Sequence, residues 1–466
     1  MLKNSMLKKI HLIAACGTGM GTLACILKQM GYMVSGSDQN VYPPMSDFLS
    51  EKGISLFTGY DPSNLDHKPD LVIIGNAVTK LNVEAQAVLQ RGIPYLSMPQ
   101  AVNKFIAKNK KVILVTGTHG KTTTSSIMAH ILFVAGMDPS FMIGGILKDF
   151  NSSFRIGSGE YMVIEGDEYD TAFFDKGPKF MHYDPEITIM TGIEFDHADI
   201  FTGIDHIKTI FSTFVKKIEK YSIILAFNNN DNLKQVLEGS VASIETYGEQ
   251  AQWSFSNHVQ QNSKTFFDVQ GPDIKVSIET NMVGEHNLLN CLACIAAAKK
   301  MGISDRNLCN ALKTFSGIKR RQEIRGIKHG ITVMDDFAHH PTAVKETIKA
   351  VKPFYKKGRV IAVFEPRTNT SMRKFFQNTY PDSFLDADMA CICEPGIKKN
   401  IPQKDKFSTR QLVADIEKKG IEAYYFEDSD AVIRFLVSKL KQDDLVLIMS
   451  NGGFDNIHVK LLEKIE

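Results

Sequence analysis

The chain has little of what would mark an exported, membrane-bound or polyanion-binding protein. Its seven cysteines (Cys16, Cys25, Cys291, Cys294, Cys309, Cys391 and Cys393) are few, odd in number and mostly set in apolar stretches. That excludes a disulfide framework and suits a reducing compartment. No window approaches the ~18 uninterrupted apolar residues of a spanning helix. Charge of one sign is missing too: 54 Lys and Arg face 52 Asp and Glu, a net +2 with neutral His. Such a balance offers no broad field for nucleic acid or a membrane surface, and neither partner is expected. With 33 Gly, 16 Pro and no internal repeat or low-complexity tract, the composition excludes collagen-like, disordered and coiled-coil classes. A cytoplasmic globular protein, monomeric or weakly dimeric, is the expectation.

What is present is a 466-residue chain with 43% hydrophobic residues, enough for roughly three domains of ~150 residues. Near the start, Lys3, Lys8 and Lys9 precede an apolar run from Ile10 to Cys16 that superficially resembles a signal peptide. Gly17, Gly19 and Gly21 break that run, so it reads as a buried first strand. Apolar runs then alternate with helical stretches. Strands are expected at 10–15, 32–37 and 71–75, with helices around 20–30 and 83–91. A second set comprises strands at 112–116, 161–165, 187–191 and 223–226, a β-like stretch at 252–280, and helices to about 134, at 286–301 and at 305–315. A third runs through strands at 331–334, 360–364, 389–393 and 445–449, with helices from 341 and at 409–418. Parallel sheets wound by crossover helices follow from this alternation. Domains are placed at 1–107, 108–316 and 317–466. Cys291 and Cys294, in an Ala-rich helical stretch with no second pair, read as buried thiols rather than half a zinc site.

The strongest local signal is the strand Val112–Thr116 running into Gly117-Thr-His-Gly-Lys-Thr-Thr123 and a helix. Gly117 and Gly120 let the backbone turn its N–H groups, with those of Thr118 and His119, towards an anion at the helix N-terminus. Lys121 then reaches the β and γ phosphates, and Thr122 offers its hydroxyl to Mg²⁺. The general pattern wants a glycine where Val115 stands, so this is a shortened variant. An ordinary Gly-rich βα turn is the bland alternative, but Gly-Lys-Thr-Thr between strand and helix favours a nucleotide, ATP by default.

Two further strand ends carry acidic or imidazole groups, Glu165-Gly-Asp-Glu168 and Glu194-Phe-Asp-His-Ala-Asp199. In a parallel sheet they can face the phosphate loop. Glu165 is the expected carboxylate ligand of Mg²⁺, and His197 is expected to reach a second metal or the substrate phosphate. The amino-terminal turn Gly17-Thr18-Gly19-Met20-Gly21, with Asp38 closing the next strand, resembles a dinucleotide fingerprint whose third glycine falls one place early. It can cradle any pyrophosphate, that of a UDP group as well as that of NAD.

Taken in order, Gly117-Thr-His-Gly-Lys-Thr-Thr123, Glu165-Gly-Asp-Glu-Tyr-Asp170, Asp196-His-Ala-Asp199, Gly284-Glu-His-Asn-Leu-Leu-Asn290, Lys319-Arg-Arg-Gln-Glu323 and Asp335-Asp-Phe-Ala-His-His-Pro341 resemble the Mur ligase family. The resemblance implies an α/β protein of three domains: a Rossmann-like domain for a UDP-sugar, a central P-loop ATPase-type domain, and a Rossmann-like domain for the incoming amine. It also implies ATP-dependent amide formation through an acyl phosphate. By the same resemblance His286, Asn287 and Asn290 hold the adenine, while Arg321 and Asp336 bring the last domain onto the nucleotide.

Asn40-Val-Tyr-Pro-Pro-Met-Ser46, Phe174-Asp-Lys-Gly-Pro-Lys-Phe-Met-His-Tyr183, Glu365-Pro-Arg-Thr-Asn369 and Ser450-Asn-Gly-Gly-Phe454 resemble one branch of the family. That branch joins UDP-N-acetylmuramate to the murein tripeptide L-alanyl-γ-D-glutamyl-meso-diaminopimelate; its nearest alternative adds L-alanine. Several relatives bear a carbamylated lysine where this chain has Phe211 and Ser212, so no modified lysine is expected. Lys121, Glu165 and His197 are the expected catalytic residues, with His197 or His340 available to handle the amine proton. An NAD-dependent oxidoreductase, supported by the first turn alone, and a silent UDP-sugar sensor are the other readings.

Overall fold

The computed structural model describes residues 8–41, 45–198, 200–261, 264–272, 274–396 and 401–465. Three largely parallel sheets follow one another along the chain. The first has five parallel strands in the order Ser55–Thr58, Met33–Asp38, Lys9–Ile13, Leu71–Ile74, Tyr95–Ser97. Its three inner strands match the apolar runs of the sequence. The two edge strands, partly exposed, do not announce themselves, because an edge buries too little to demand a continuous apolar run.

The central sheet runs Ser243–Tyr247, Ile223–Phe227, Pro185–Met190, Lys111–Thr116, Tyr161–Glu165, Ser140–Leu147, Ser152–Arg155, with only the last pair antiparallel. Lys111–Thr116 sits in the middle, so the carboxyl ends of three adjoining strands lie side by side. Helices Lys121–Val134 and Glu285–Lys300 share one core with this sheet, and both are buried over most of their length. The Ala296–Ala298 run keeps the second helix slim where it is buried in that core. Cys291 and Cys294 are buried in it as expected, and burial pushes the Cys291 thiol up to about 12. A three-stranded antiparallel meander, Ser254–Gln261, Lys264–Gly271 and Ile274–Thr280, accounts for the β-like stretch.

The third sheet is ordered Glu323–Lys328, Ile331–Asp336, Leu445–Met449, Val360–Phe364, Met389–Cys393, Glu422–Phe426, antiparallel only at the first pair. Its inner strands are buried on both faces, which is why they read as unbroken apolar runs. The helix Met98–Phe105 places Val102 and Phe105 in one cluster with Phe180 and Phe214, welding the first sheet to the second. Phe211 lies in that same cluster, its ring 4.9 Å from Phe180. The hairpin of Asp170–Ala172 and Asp175–Pro178 adds a second link, through Ser97 Oγ donating to Asp175 Oδ2 at 2.9 Å. No helix among the described residues is long and apolar enough to cross a membrane.

Candidate active site

The turn after Lys111–Thr116 is held open by its glycines. Gly117 and Gly120 adopt φ of +124° and +78°, and a Cβ at either would stand 2.6 Å from an oxygen of Thr191 or Asn290. Only glycine fits both the left-handed backbone and the crowding. The loop is pinned to the neighbouring strand end: the Thr118 amide donates to Gly192 O at 2.9 Å, and the Glu194 amide donates to Thr118 Oγ1 at 2.8 Å.

Helix Lys121–Val134 starts directly on the loop, aiming its first amides at the space the loop encloses. Lys121 Nζ donates to Glu168 at 2.8 and 2.9 Å and to the carbonyl of Gly117 at 2.6 Å. Burial opposes its charge, but Glu168, with Glu165 and Asp167, outweighs burial and holds the ammonium above its ordinary pKa. Thr122 Oγ1 donates to Glu165 Oε1 at 3.0 Å, and the other Glu165 oxygen accepts the Gly144 amide at 2.7 Å. A hydroxyl and a carboxylate are thus side by side, both hard oxygen donors of the kind Mg²⁺ takes. Thr123 is buried just behind them.

His197 does not join that pair directly. Its backbone has φ of +55° and its Nε2 lies 4.0 Å from Glu168, with the ring edge-on to Tyr169. Asp199, quoted with it, lies outside the described residues. Asp196 is held well below the usual carboxylate range, because His197, His339 and His340 outweigh its burial.

Asn290 Oδ1 accepts the Thr124 hydroxyl at 3.1 Å, directly under Gly120, and Asn290 Nδ2 donates to Asn287 Oδ1 at 3.3 Å. Asn287 in turn donates to Val283 O at 2.8 Å. Arg321 crosses from the third sheet to donate to Thr122 Oγ1 at 3.4 Å, its guanidinium 4.8 Å over the Phe337 ring. Asp336 accepts the amides of Gln322 and Ala338 at 2.8 and 2.7 Å and so shapes the turn that presents Arg321.

His286 has a buried Nδ1 with no hydrogen-bond partner. Burial first, then His119 and Lys349, pushes its pKa down to about 4. The folded state therefore binds fewer protons than the unfolded chain between pH 6.5 and 4, and stability is lost as pH falls through that window. Urea unfolding is expected to show up to about 3 kcal/mol of this loss from His286. His286→Gln is expected to flatten the slope; an equal slope in both proteins would remove His286 as its source.

The amino-terminal turn stands on the first sheet, at the end of Lys9–Ile13. Gly17 precedes helix Thr18–Gln29, and a Cβ at Gly19 or Gly21 would meet Met98 Cε at 3.1 Å or Met45 Sδ at 2.8 Å. Met20 is buried; the Thr18 side chain lies outside the described residues, as do Tyr42, Pro43 and Pro44 of the quoted 40–46 stretch. Asp38 accepts the Cys16 amide at 2.8 Å, so its carboxylate braces the turn itself. Glu168, three residues beyond Glu165, was not singled out from the sequence as the partner of Lys121. Its only signal was its place in the acidic strand end.

Three family models cover most of the chain: Mur ligase family, catalytic domain, at residues 9–110; Mur ligase middle domain at 115–298; and Mur ligase, glutamate ligase domain, at 320–452. The UDP-N-acetylmuramate–L-alanyl-γ-D-glutamyl-meso-2,6-diaminoheptandioate ligase of Escherichia coli K12 is 41% identical over 460 residues, 98% of each chain. The UDP-N-acetylmuramate–L-alanine ligase of Clostridium acetobutylicum is 31% identical over 468 residues, 99% of each. The crystal structure of a murein peptide ligase from Psychrobacter arcticus superposes with a TM-score of 0.72 at 34% identity, covering 98% of both chains. With its three sheets, its phosphate loop and these likenesses over nearly its whole length, the chain belongs to the Mur ligase family.

Proposed function

We propose that this protein is an ATP-dependent ligase that joins the lactyl carboxylate of UDP-N-acetylmuramate to the free amine of L-alanyl-γ-D-glutamyl-meso-diaminopimelate, returning a murein tripeptide to cell-wall synthesis. The observation that carries the reading is the cluster of Lys121, Thr122 and Glu165 at adjoining strand ends. The higher identity to the tripeptide ligase than to the alanine ligase supports the larger amine.

A carboxylate resists attack by an amine because oxide is a poor leaving group. A carboxylate oxygen instead attacks the γ-phosphorus of ATP, so that the phosphoryl group passes to the carboxylate and ADP leaves. The amine then adds to the acyl carbon, and the tetrahedral intermediate expels phosphate while the nitrogen gives up its proton to the departing phosphate or to solvent. Charge on the transferring phosphoryl oxygens is met by Lys121 and by the loop amides around Gly117–Gly120. To do so Lys121 exchanges Glu168 for phosphate. Thr122 and Glu165 would hold Mg²⁺, which supplies further neutralisation of phosphate charge when bound. His286, Asn287 and Asn290 serve the adenine end, with Arg321 and Asp336 fastening the third sheet to the nucleotide. The turn at Gly17–Gly21, braced by Asp38, serves the UDP pyrophosphate. No side chain needs to act as nucleophile; catalysis rests on positioning and charge.

Phosphate release, measured with ATP, UDP-N-acetylmuramate and either amine, tests this reading. The tripeptide is expected to support turnover at least about 100-fold better than L-alanine at equal concentration. Equal or reversed rates would move the protein to the alanine branch, and release with neither amine would end the ligase reading.

A further inference from the structure

The side-chain amides at the nucleotide end of the site form one chain of hydrogen bonds. The Thr124 hydroxyl, on the phosphate-loop helix, donates to Asn290 Oδ1 at 3.1 Å. Asn290 Nδ2 donates to Asn287 Oδ1 at 3.3 Å, and Asn287 Nδ2 donates to Gln322 Oε1 at 3.4 Å. A carboxamide has one accepting and one donating end, so each link fixes the orientation of the next. The chain therefore ends on Gln322 Nε2, a buried donor with no partner among the described residues. A buried donor left unspent is costly and calls for an explanation.

The backbone around Gln322 is a second observation. Arg320 and Gln322 both stand in the left-handed region, with φ of +62° and +48°, a conformation that residues with side chains adopt sparingly and that clusters at ligand clamps. Asp336 Oδ2 holds this turn by accepting the Gln322 amide at 2.8 Å. The two side chains it presents diverge. Arg321 donates to Thr122 at the phosphate loop, while Gln322 reaches Asn287 in the first turn of helix Glu285–Lys300. His286 precedes Asn287 in that same turn, and its Nδ1 is another buried atom with no partner among the described residues. Burial, then His119 and Lys349, keeps the His286 ring neutral by pushing its pKa down to about 4.

We propose that Gln322 is a specificity-determining residue for the nucleotide base: its Nε2 donates to N1 of adenine, and the Nδ1 lone pair of His286 accepts the neighbouring 6-amino group. The inference rests on the ATP reading above and adds to it what selects the base. On that edge adenine offers an acceptor beside a donor, the order this pair requires. Guanine offers the reverse, an N1–H donor beside the O6 acceptor, so both contacts become repulsive.

Calorimetric titration of the full-length protein with ADP and with GDP, each with Mg²⁺, tests the assignment without turnover. The parent is expected to bind ADP at least about tenfold more tightly than GDP. Gln322→Met should weaken ADP binding about fivefold or more, while GDP changes less than about twofold. Gln322→Glu keeps the acceptor for Asn287 but puts a second acceptor where the donor stood, so the ADP-to-GDP affinity ratio should fall to about one or below. Repulsion between the added carboxylate and the phosphates acts on both ligands and cancels in that ratio. Melting of each variant without nucleotide verifies folding, and Gln322→Met decides if Gln322→Glu is unstable. A parent that binds neither nucleotide ends the ATP reading and the base assignment with it. A parent that binds ADP and GDP alike, or variants that keep the parent's ratio, overturns the base assignment alone and leaves Gln322 as a brace for Asn287.

Discussion

Replacing Lys121 by alanine is expected to lower the turnover number by about 10³-fold, the scale of losing a principal charge-stabilising donor. UDP-N-acetylmuramate affinity should change less than about threefold, since that ligand is assigned to a different sheet and an effect under ~0.7 kcal/mol is what a remote substitution leaves. The single variant has a second consequence. Glu168 is 4% exposed and Lys121 is its nearest cation, so alanine leaves a buried carboxylate uncompensated. Breaking such a pair costs about 3–5 kcal/mol unless the carboxyl takes up a proton. Lys121→Ala with Glu168→Gln therefore separates the two effects: stability should recover in the double variant, and turnover should not. Turnover restored along with stability would show that the lysine acts only as a structural partner, and the phosphate-loop assignment would fall.

Glu165→Ala is expected to raise the Mg²⁺ concentration needed for half-maximal phosphate release by about 10–100-fold, the usual effect of disturbing one ligand or its orienting partner. The carboxylate is shared between the Thr122 hydroxyl and the Gly144 amide, so alanine also frees the strand Ser140–Leu147 from the loop. Glu165→Gln keeps the acceptor for Gly144 while removing the charge. If both substitutions shift the metal requirement alike, charge is the cause. If only alanine does, the role is to anchor the strand, and an unchanged requirement in both would remove Glu165 from the ligand set.

Much of the site was legible because it is local. Strand, turn and helix succeed one another within Lys111–Val134, and the glycines at 117 and 120 stand where the backbone has positive φ. Most inner strands of the three sheets were legible for the same kind of reason, since burial on both faces demands unbroken apolar runs; Ser140–Leu147 of the central sheet was not, because Gly144 and Gly145 interrupt its apolar run. Edge strands were not, because Glu323–Lys328 leaves Ile324 and Ile327 exposed and so carries no distinguishing pattern. The spacing of Asp38 from the first turn does not reveal that its carboxylate also accepts the Cys16 amide of that turn, a contact between two strand ends.

The amino-acid sequence by itself determined the class of fold, the phosphate-binding turn and the set of acidic strand ends, because each depends on hydrogen bonds, sterics or burial within a short stretch. Which of those groups meet was decided only by the folded chain. Lys121 finds Glu168 across 47 residues, Thr122 finds Glu165 across 43, and Thr342 finds Glu194 across 148. Such pairings depend on strand order and register, which the burial of whole cores selects and no local spacing encodes.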